Sequence, residues 1–350
     1  MKVAVYTIAL NEEKFVQSWF ESAKDADYLL IADTGSTDNT AELAASLGIE
    51  VFSISVKPWR FDDARNASLA LLPNDIDVCI ALDMDEVLQP GWREELESAY
   101  KTGATRIRYK YTWSWNSDGT PGLEYGGDKI HVRHGYRWKH PVHEVLVSDR
   151  LEEVQAWCGL EIHHHADNTK SRSSYLPLLE LSVKEDPNDD RNSFYYAREL
   201  TFYKEYEKAA KEFKWYLDLP TAQWPAERSR AYRYLAECEP QNAEKYLLTA
   251  IKEDPSRREA MVDLAMFYYK NSEWRKCYRV AVDALQIREK PLDYLCEEFA
   301  WNDVPYDLAA ISAYHLALRP TAVKYGKKAL KLNPTSQRLK DNLNFYLSKN

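Results

Sequence analysis

Two aspartates one residue apart, Asp83 and Asp85, close the apolar run "CIALDMDEVL" from Cys79 to Leu88. Carboxylates of this kind hold hard divalent cations such as Mg²⁺ or Mn²⁺, which take one or two protein oxygens and fill other positions with phosphate. On a strand, alternate side chains share a face, so the spacing predicts both carboxylates on one side with Met84 on the other. The surface end of a plain buried strand carries the same residues, so the neighbours decide. Asp33 in "IADTGSTDNT" stands at the tip of another apolar run. A carboxylate there accepts hydrogen bonds from a nucleoside base or ribose, or merely closes its own turn. Arg65 in "DDARNASL" is placed to meet a diphosphate, or to pair with Asp62 or Asp63.

The elements that must position these residues are legible. "VAVYTIAL" (3–10), "YLLIADTG" (28–35), "EVFSISV" (50–56) and "DVCIALDMD" (77–85) read as strands. Between them, "NEEKFVQSWFESAKD", "DNTAELAASLGI" and "RFDDARNASLALL" read as helical segments, the last entered through a loop. Strands alternating with helices predict an α/β domain with a mostly parallel sheet covered on both faces. Ligands bind such sheets outside the carboxyl ends of the strands, where Asn11, Glu12, Asp33, Asp83 and Asp85 all fall.

From about residue 171 the pattern is helical, and prolines recur at 187, 220, 255, 291 and 334, at intervals of 33, 35, 36 and 43. "YEKAAKEFKWYLDLP", "AEKYLLTAIKEDP" and "AVKYGKKALKLNP" share small residues, an aromatic or leucine, and a closing proline. A period near 34 with small residues where paired helices approach is the signature of tetratricopeptide-type (TPR) repeats. The expected organisation is an α/β domain over 1–170 and an all-α repeat domain over 171–350, with "SQRLKDNLNFYL" as its capping helix.

The segments "TIALNEE", "IADTGSTDNT", "ARNASL" and "ALDMDEVL", in that order over about 90 residues, closely resemble the family 2 glycosyltransferases with the Rossmann-like GT-A fold. The resemblance implies a nucleotide-diphospho-sugar donor, uridine the expected nucleoside. It assigns Thr7, Asn11, Glu12 and Asp33 to the nucleoside, and Arg65 to the nucleotide side of the site. Asp83 and Asp85 fall to Mn²⁺ or Mg²⁺, with Asp83 also at the donor. The family often carries two adjacent aspartates after the second strand; Asp33-Thr34 here resembles a subgroup with TPR repeats downstream.

Seven of the eight histidines lie between 131 and 165. "RWKHPVHEVL" resembles the family's His-Glu stretch near the acceptor, and sugar transfer to a hydroxyl needs a group to take the acceptor's proton. Glu144 is the expected base of an inverting hexosyltransferase, with His143 its neighbour and possible substitute; pairing of Glu144 to Lys139 or Arg137 is the structural alternative. In "IHHHADN", alternate residues share a face, so His163 and His165 converge. They are too few for a structural zinc site. The GT-A resemblance makes one of them a further ligand to the cation, and a solvated turn is the alternative. The aromatics of "RYKYTWSW" read mainly as cross-strand pairs on an amphipathic strand.

The totals bound the rest. A chain of 350 residues with 45% hydrophobic and 29% charged residues is that of a globular protein of two domains. Residues 1–170 hold 17 basic against 28 acidic residues, a net −11, whereas 171–350 carry +2. An acidic surface repels bare phosphates, which disfavours non-specific nucleic-acid binding. The five cysteines are scattered, without a CxxC pair, as expected of reduced thiols. No apolar stretch approaches membrane-spanning length and the start reads directly into a strand, so the cytoplasm is the expected address.

A peptide, protein or glycan acceptor is expected, a modified nucleobase stays open, and the repeats are candidates for a homodimer interface. Two other classes compete. A nucleotidyltransferase would place a glycine-rich basic loop after the first strand, where "LNEEKF" stands. A scaffold with a degenerate domain would not need its Asp-x-Asp.

Overall fold

The computed structural model describes residues 1–116, 118–149, 152–167 and 175–348. The chain divides into two compact units, Met1–Lys184 and Glu185–Asn350. The expected break at 170/171 lies outside the described residues.

The first unit is built on an eight-stranded sheet. Its elements begin β1 (Val3–Ala9), α1 (Glu13–Ala23), β2 (Tyr28–Asp33), α2 (Thr40–Ser46), β3 (Glu50–Ser53), α3 (Phe61–Ala70), β4 (Val78–Ala81) and β5 (Glu86–Leu88). They continue α4 (Trp92–Tyr100), β6 (Arg106–Thr112), β7 (Glu124–Val132), β8 (Tyr136–Lys139), β9 (Val145–Ser148), β10 (Gln155–His164) and α5 (Tyr175–Glu185). The strand order is β3-β2-β1-β4-β7-β6-β10-β5, and β8 and β9 form a separate hairpin. Strands β3, β2, β1 and β4 are parallel, as are β6 and β10; β7 and β5 run against their neighbours.

Strand β1 is buried on both faces because its residues alternate between two cores. Val3 and Val5 point to one with Trp19 of α1 and Leu96 of α4, and Ala4 and Tyr6 to the other with Leu69 of α3 and Trp138 of β8.

The fourth strand departs from expectation. It ends at Ala81, so Asp83 and Asp85 stand in a turn rather than on a strand. The Glu86 N–H donates to the Asp83 carbonyl (2.9 Å) and the Asp83 N–H to Glu86 Oε2 (2.8 Å). The chain then leaves β4 and pairs as β5 with β10.

The second unit is helical: α6 (Asp190–Phe202), α7 (Tyr206–Asp218), α8 (Pro225–Cys238), α9 (Ala243–Glu253), α10 (Glu259–Lys270), α11 (Trp274–Ala284), α12 (Val304–His315), α13 (Arg319–Leu332) and α14 (Gln337–Leu347). Pro187, Pro220, Pro255 and Pro334 fall between successive helix pairs, and Pro291 falls in the longer link between α11 and α12. Fully buried alanines, among them Ala209, Ala231, Ala265, Ala281, Ala309 and Ala329, let paired helices approach. At Gly326 an added Cβ would lie 3.3 Å from Tyr346 of α14, a tight contact to which the ring would have to yield by a few tenths of an ångström. Both units have the class that the sequence predicts, a mostly parallel α/β sheet followed by TPR-like helices. Among the described residues no helix is long and apolar enough to cross a membrane, and all five cysteines are free.

Candidate active site

At the carboxyl ends of β1 and β2 the expected nucleoside residues are drawn together by their own hydrogen bonds. Asn11, in the left-handed region at φ 56°, accepts from the Thr37 N–H through Oδ1 (2.7 Å) and donates its own N–H to Ser36 Oγ (2.9 Å). Glu12 is buried and its N–H donates to Thr40 Oγ1 at 2.8 Å. Asp33 Oδ2 accepts from the N–H groups of Gly35 and Ser36, both at 3.1 Å, so this carboxylate closes its own turn. Thr7 is buried beneath, its carbonyl accepting from Ser68 Oγ of α3.

Arg65 is the hub of the next layer. It sits on α3, buried, with its guanidinium 4.9 Å from the Trp138 ring. The Asn66 side chain clasps the Trp138 backbone, donating to its carbonyl (2.9 Å) and accepting its N–H (2.8 Å). That clasp fixes the β8–β9 hairpin on α3 and delivers Glu144, one residue before β9, to Arg65 Nε at 2.5 Å. Arg65 Nη2 donates to Asp83 Oδ1 at 2.7 Å. The expected alternatives, Arg65 with Asp62 or Asp63 and Glu144 with Lys139 or Arg137, give way to this pairing. Arg65 Nη1 is buried with no hydrogen-bond partner among the described residues.

The other oxygen of Asp83, Oδ2, accepts from Lys129 Nζ at 2.9 Å. Lys129, on β7, also donates to Glu86 Oε1 (2.7 Å) and Oε2 (3.0 Å), and Glu86 takes a further hydrogen bond from the Tyr111 hydroxyl at 2.6 Å. Burial opposes ionisation of Asp83, yet Arg65 and Lys129 outweigh it and hold the carboxyl well below the usual range. Glu86 is pushed up, chiefly by burial and also by Asp83, with Lys129 opposing. Lys129 is held far above its usual value because Asp83 and Glu86 overcome its desolvation.

Asp85 faces elsewhere. Its Oδ2 lies 3.3 Å from His164 Nε2, and its carbonyl accepts the His165 N–H at 2.7 Å. The His164 ring donates from Nδ1 to the Trp113 carbonyl (2.9 Å) and stacks on Trp113 at 4.4 Å. Burial lowers the affinity of this ring for a proton, but Asp85 and the Trp113 carbonyl prevail and the net shift is upward.

The two histidines expected at the cation are placed differently. His163 lies 3.5 Å from Glu161 and edge-on to Trp115, and His165 lies parallel to the Trp115 ring. The reason is register: on β10, His164 is the residue opposite Glu86 of β5, so it shares the Glu86 face. His143 takes a left-handed conformation (φ 53°) and its ring meets Tyr175 edge-on at 5.6 Å, whereas Glu144 turns to Arg65. Lys129, Glu86, Tyr111 and His164 are the residues that sequence reasoning missed. Glu86 lay inside the quoted "ALDMDEVL", and the one pointer to Lys129 was a lone cation between Asp128 and Ile130 on a strand.

Among the described residues, no group of three or more His, Cys, Asp or Glu side chains converges as a metal centre. Asp85 and His164 form a two-donor set whose 3.3 Å separation suits adjacent ligands of one ion with bonds near 2.1 Å. The His164 Nδ1–H held by a carbonyl is the outer-shell support that a metal-binding imidazole uses. Asp83, with both oxygens already on cations, is not part of that set.

Acidic and basic groups gather beyond the strand ends of a mostly parallel sheet, which is where α/β domains bind their ligands. Residues 4–136 match the model of Glycosyl transferase family 2, somewhat more than a third of the chain, and they form a domain of that family. Its members as a class use nucleotide-sugar donors. Among curated proteins none matches.

Among solved structures, glucosyl-3-phosphoglycerate synthase from Mycobacterium tuberculosis, in complex with Mn²⁺, uridine diphosphate and glucosyl-3-phosphoglycerate, is 28% identical. The likeness covers 31% of this chain and 44% of that one, with a TM-score of 0.28. Pseudomonas aeruginosa PilF (19% identity, 47% and 70% coverage, TM-score 0.38) and the TPR protein YrrB (13%, 50% and 84%, 0.37) are similar as well. With TM-scores this low, these likenesses add nothing to the fold described above.

Proposed function

We propose that the first unit moves a hexose from a nucleotide-diphospho-sugar, uridine the expected nucleoside, to a nucleophile on a peptide, protein or glycan acceptor, with inversion and with Mn²⁺ or Mg²⁺ bound. The observation that carries the reading is the Asp85–His164 pair, two donors set at ligand spacing; in the same sheet's rim, two residues before Asp85, Asp83 holds a buried guanidinium with an unused nitrogen. Asp85 and His164 hold the cation, in place of the expected set of Asp83 and Asp85 with His163 or His165. When bound, it neutralises the departing diphosphate and orients the donor. Arg65 Nη1 supplies a hydrogen bond to the diphosphate, and Asp83 and Glu144 fix the guanidinium for that task. Thr7, Asn11, Glu12 and Asp33 frame the nucleoside. Glu144, held through Oε1 by Arg65, takes the acceptor's proton at Oε2, with His143 beside it.

Donor hydrolysis across a panel of nucleotide sugars, with Mn²⁺ or with chelator, tests this. Turnover is expected for a uridine diphospho-sugar, lost with chelator and in Asp85→Ala, and reduced roughly 10²-fold or more in Glu144→Gln. Turnover unchanged by chelator and by Asp85→Ala removes the cation from the reaction. A folded chain that neither hydrolyses any donor nor binds uridine diphosphate is a scaffold instead.

A further inference from the structure

Successive pair-ending prolines are 33 to 36 residues apart as far as Pro291, but Pro291 and Pro334 are 43 apart. The extra length lies in residues 286–303, between α11 and α12. Other links in the unit turn within a few residues, which is all that a helix connection needs. This one forms a strap along the face presented by α6, α8 and α10.

Its contacts are specific. Asp293 takes two hydrogen bonds from Arg257, just before α10, at 2.6 and 3.1 Å. The Tyr294 hydroxyl donates to Glu227 Oε1 of α8 at 2.6 Å, and its ring stacks on Tyr195 of α6 at 6.3 Å and 16°. Glu297 pairs with Arg230 (2.7 Å) and Arg233 (2.5 Å) of α8, and its N–H donates to Glu259 Oε1 of α10 at 3.1 Å. Glu227, Arg230 and Arg233, three residues apart, make one stripe of α8. Under the strap, Glu227, Arg233, Arg257 and Glu259 are only 2–7% exposed. Residues of these types are almost never buried unless paired, and for each of them at least one partner comes from the strap.

We infer that the face of α6, α8 and α10 recognises an extended segment carrying an aromatic with carboxylates one residue before and three residues after it, and that the strap is its built-in occupant. Repeat arrays offer such faces to extended peptides. An occupant tethered at both ends acts at an effective concentration in the millimolar range, so it shuts out a free peptide of equal quality. The inference rests on the second unit alone and is independent of sugar transfer.

The test uses the full chain with residues 289–299 replaced by a Gly/Ser linker of equal length. The probe is a fluorescein-labelled peptide "EKPLDYLCEEFAW" (289–301) carrying Cys296→Ser, followed by anisotropy. The linker chain is expected to bind the probe at least 10-fold more tightly than the intact chain. Probe carrying Tyr294→Ala and Glu297→Ala should bind it at least 10-fold more weakly. A second protein, the full chain with Tyr294→Ala and Glu297→Ala, keeps the strap but loosens it and should also gain probe binding. Failure of both folded proteins to bind, or equal binding by the intact chain, overturns the inference. Loss of helical circular dichroism in both makes the strap part of the fold and overturns it too.

Discussion

Lys129→Met removes one charge from the centre of the first unit while keeping most of the stem. Lys129 Nζ is the shared partner of Asp83 and Glu86, at 2.9 and 2.7 Å, and Glu86 is 1% exposed. Without it, Asp83 keeps Arg65, but among the described residues Glu86 keeps only the Tyr111 hydroxyl and the Asp83 N–H as hydrogen-bond donors. Breaking one side of a buried ion pair costs ~3–5 kcal/mol, because an uncompensated charge stays behind. That is a large part of the ~5–15 kcal/mol by which domains are stable.

The cost must depend on pH. Burial already raises the Glu86 carboxyl and Lys129 opposes the rise, so the variant raises it further. A carboxyl raised in the folded state binds its proton more tightly there than in the unfolded chain, so stability is regained as pH falls and lost as it rises. Native-state hydrogen exchange of the β4, β6 and β7 amides reads the opening of this sheet alone. Comparing variant with wild type at one pH cancels the intrinsic exchange rate. The expected difference is ~3–5 kcal/mol at pH 7, smaller at pH 5.5. A difference below ~1 kcal/mol, or one that does not shrink on acidification, refutes the reasoning.

Two further outcomes follow from buried groups. His131 accepts from the Tyr6 hydroxyl (3.1 Å) and donates to the Val132 carbonyl (2.7 Å), and burial, aided by Arg106 and Arg133, lowers it to about 4. A histidine kept neutral in the fold contributes stability that is complete above its ordinary 6.5 and lost as pH falls toward 4, by ~1.4 kcal/mol per unit. His131→Asn is therefore expected to lose less stability than wild type between pH 7 and 4.5, and equal losses would contradict this. Gly127→Ala places a Cβ 2.3 Å from the fully buried Tyr109 ring. Overpacking of this kind costs ~1–3 kcal/mol, and Tyr109→Leu in the same chain should restore part of it; a neutral Gly127→Ala would show that the ring moves freely.

What was legible in the sequence was whatever local pattern dictates. Strands β1, β2 and β4 announce themselves because both faces are buried, and the prolines punctuate the helix pairs. The run through Leu82 and Met84 hides the end of β4, since both residues stay buried after the strand has stopped. The turn there depends on the Glu86 side chain closing back on Asp83, which apolar periodicity does not register. The histidines are a related case: alternation groups His163 with His165, and both rings do meet Trp115, but only the pairing of β10 with β5 puts His164 on the side of Glu86 and Asp85. Lys129 reaches Asp83 across 46 residues and Glu144 reaches Arg65 across 79, distances over which a single sequence carries no signal. The strap did leave a trace, the 43-residue interval, without its meaning.

The most direct measurement is the anomalous scattering of manganese in crystals grown with uridine diphosphate and Mn²⁺. The account predicts one peak within about 2.3 Å of both Asp85 Oδ2 and His164 Nε2, with diphosphate oxygens completing the ion's shell and Arg65 at the diphosphate. Nucleotide bound with no such peak, or with manganese seated on Asp83 instead, would contradict it.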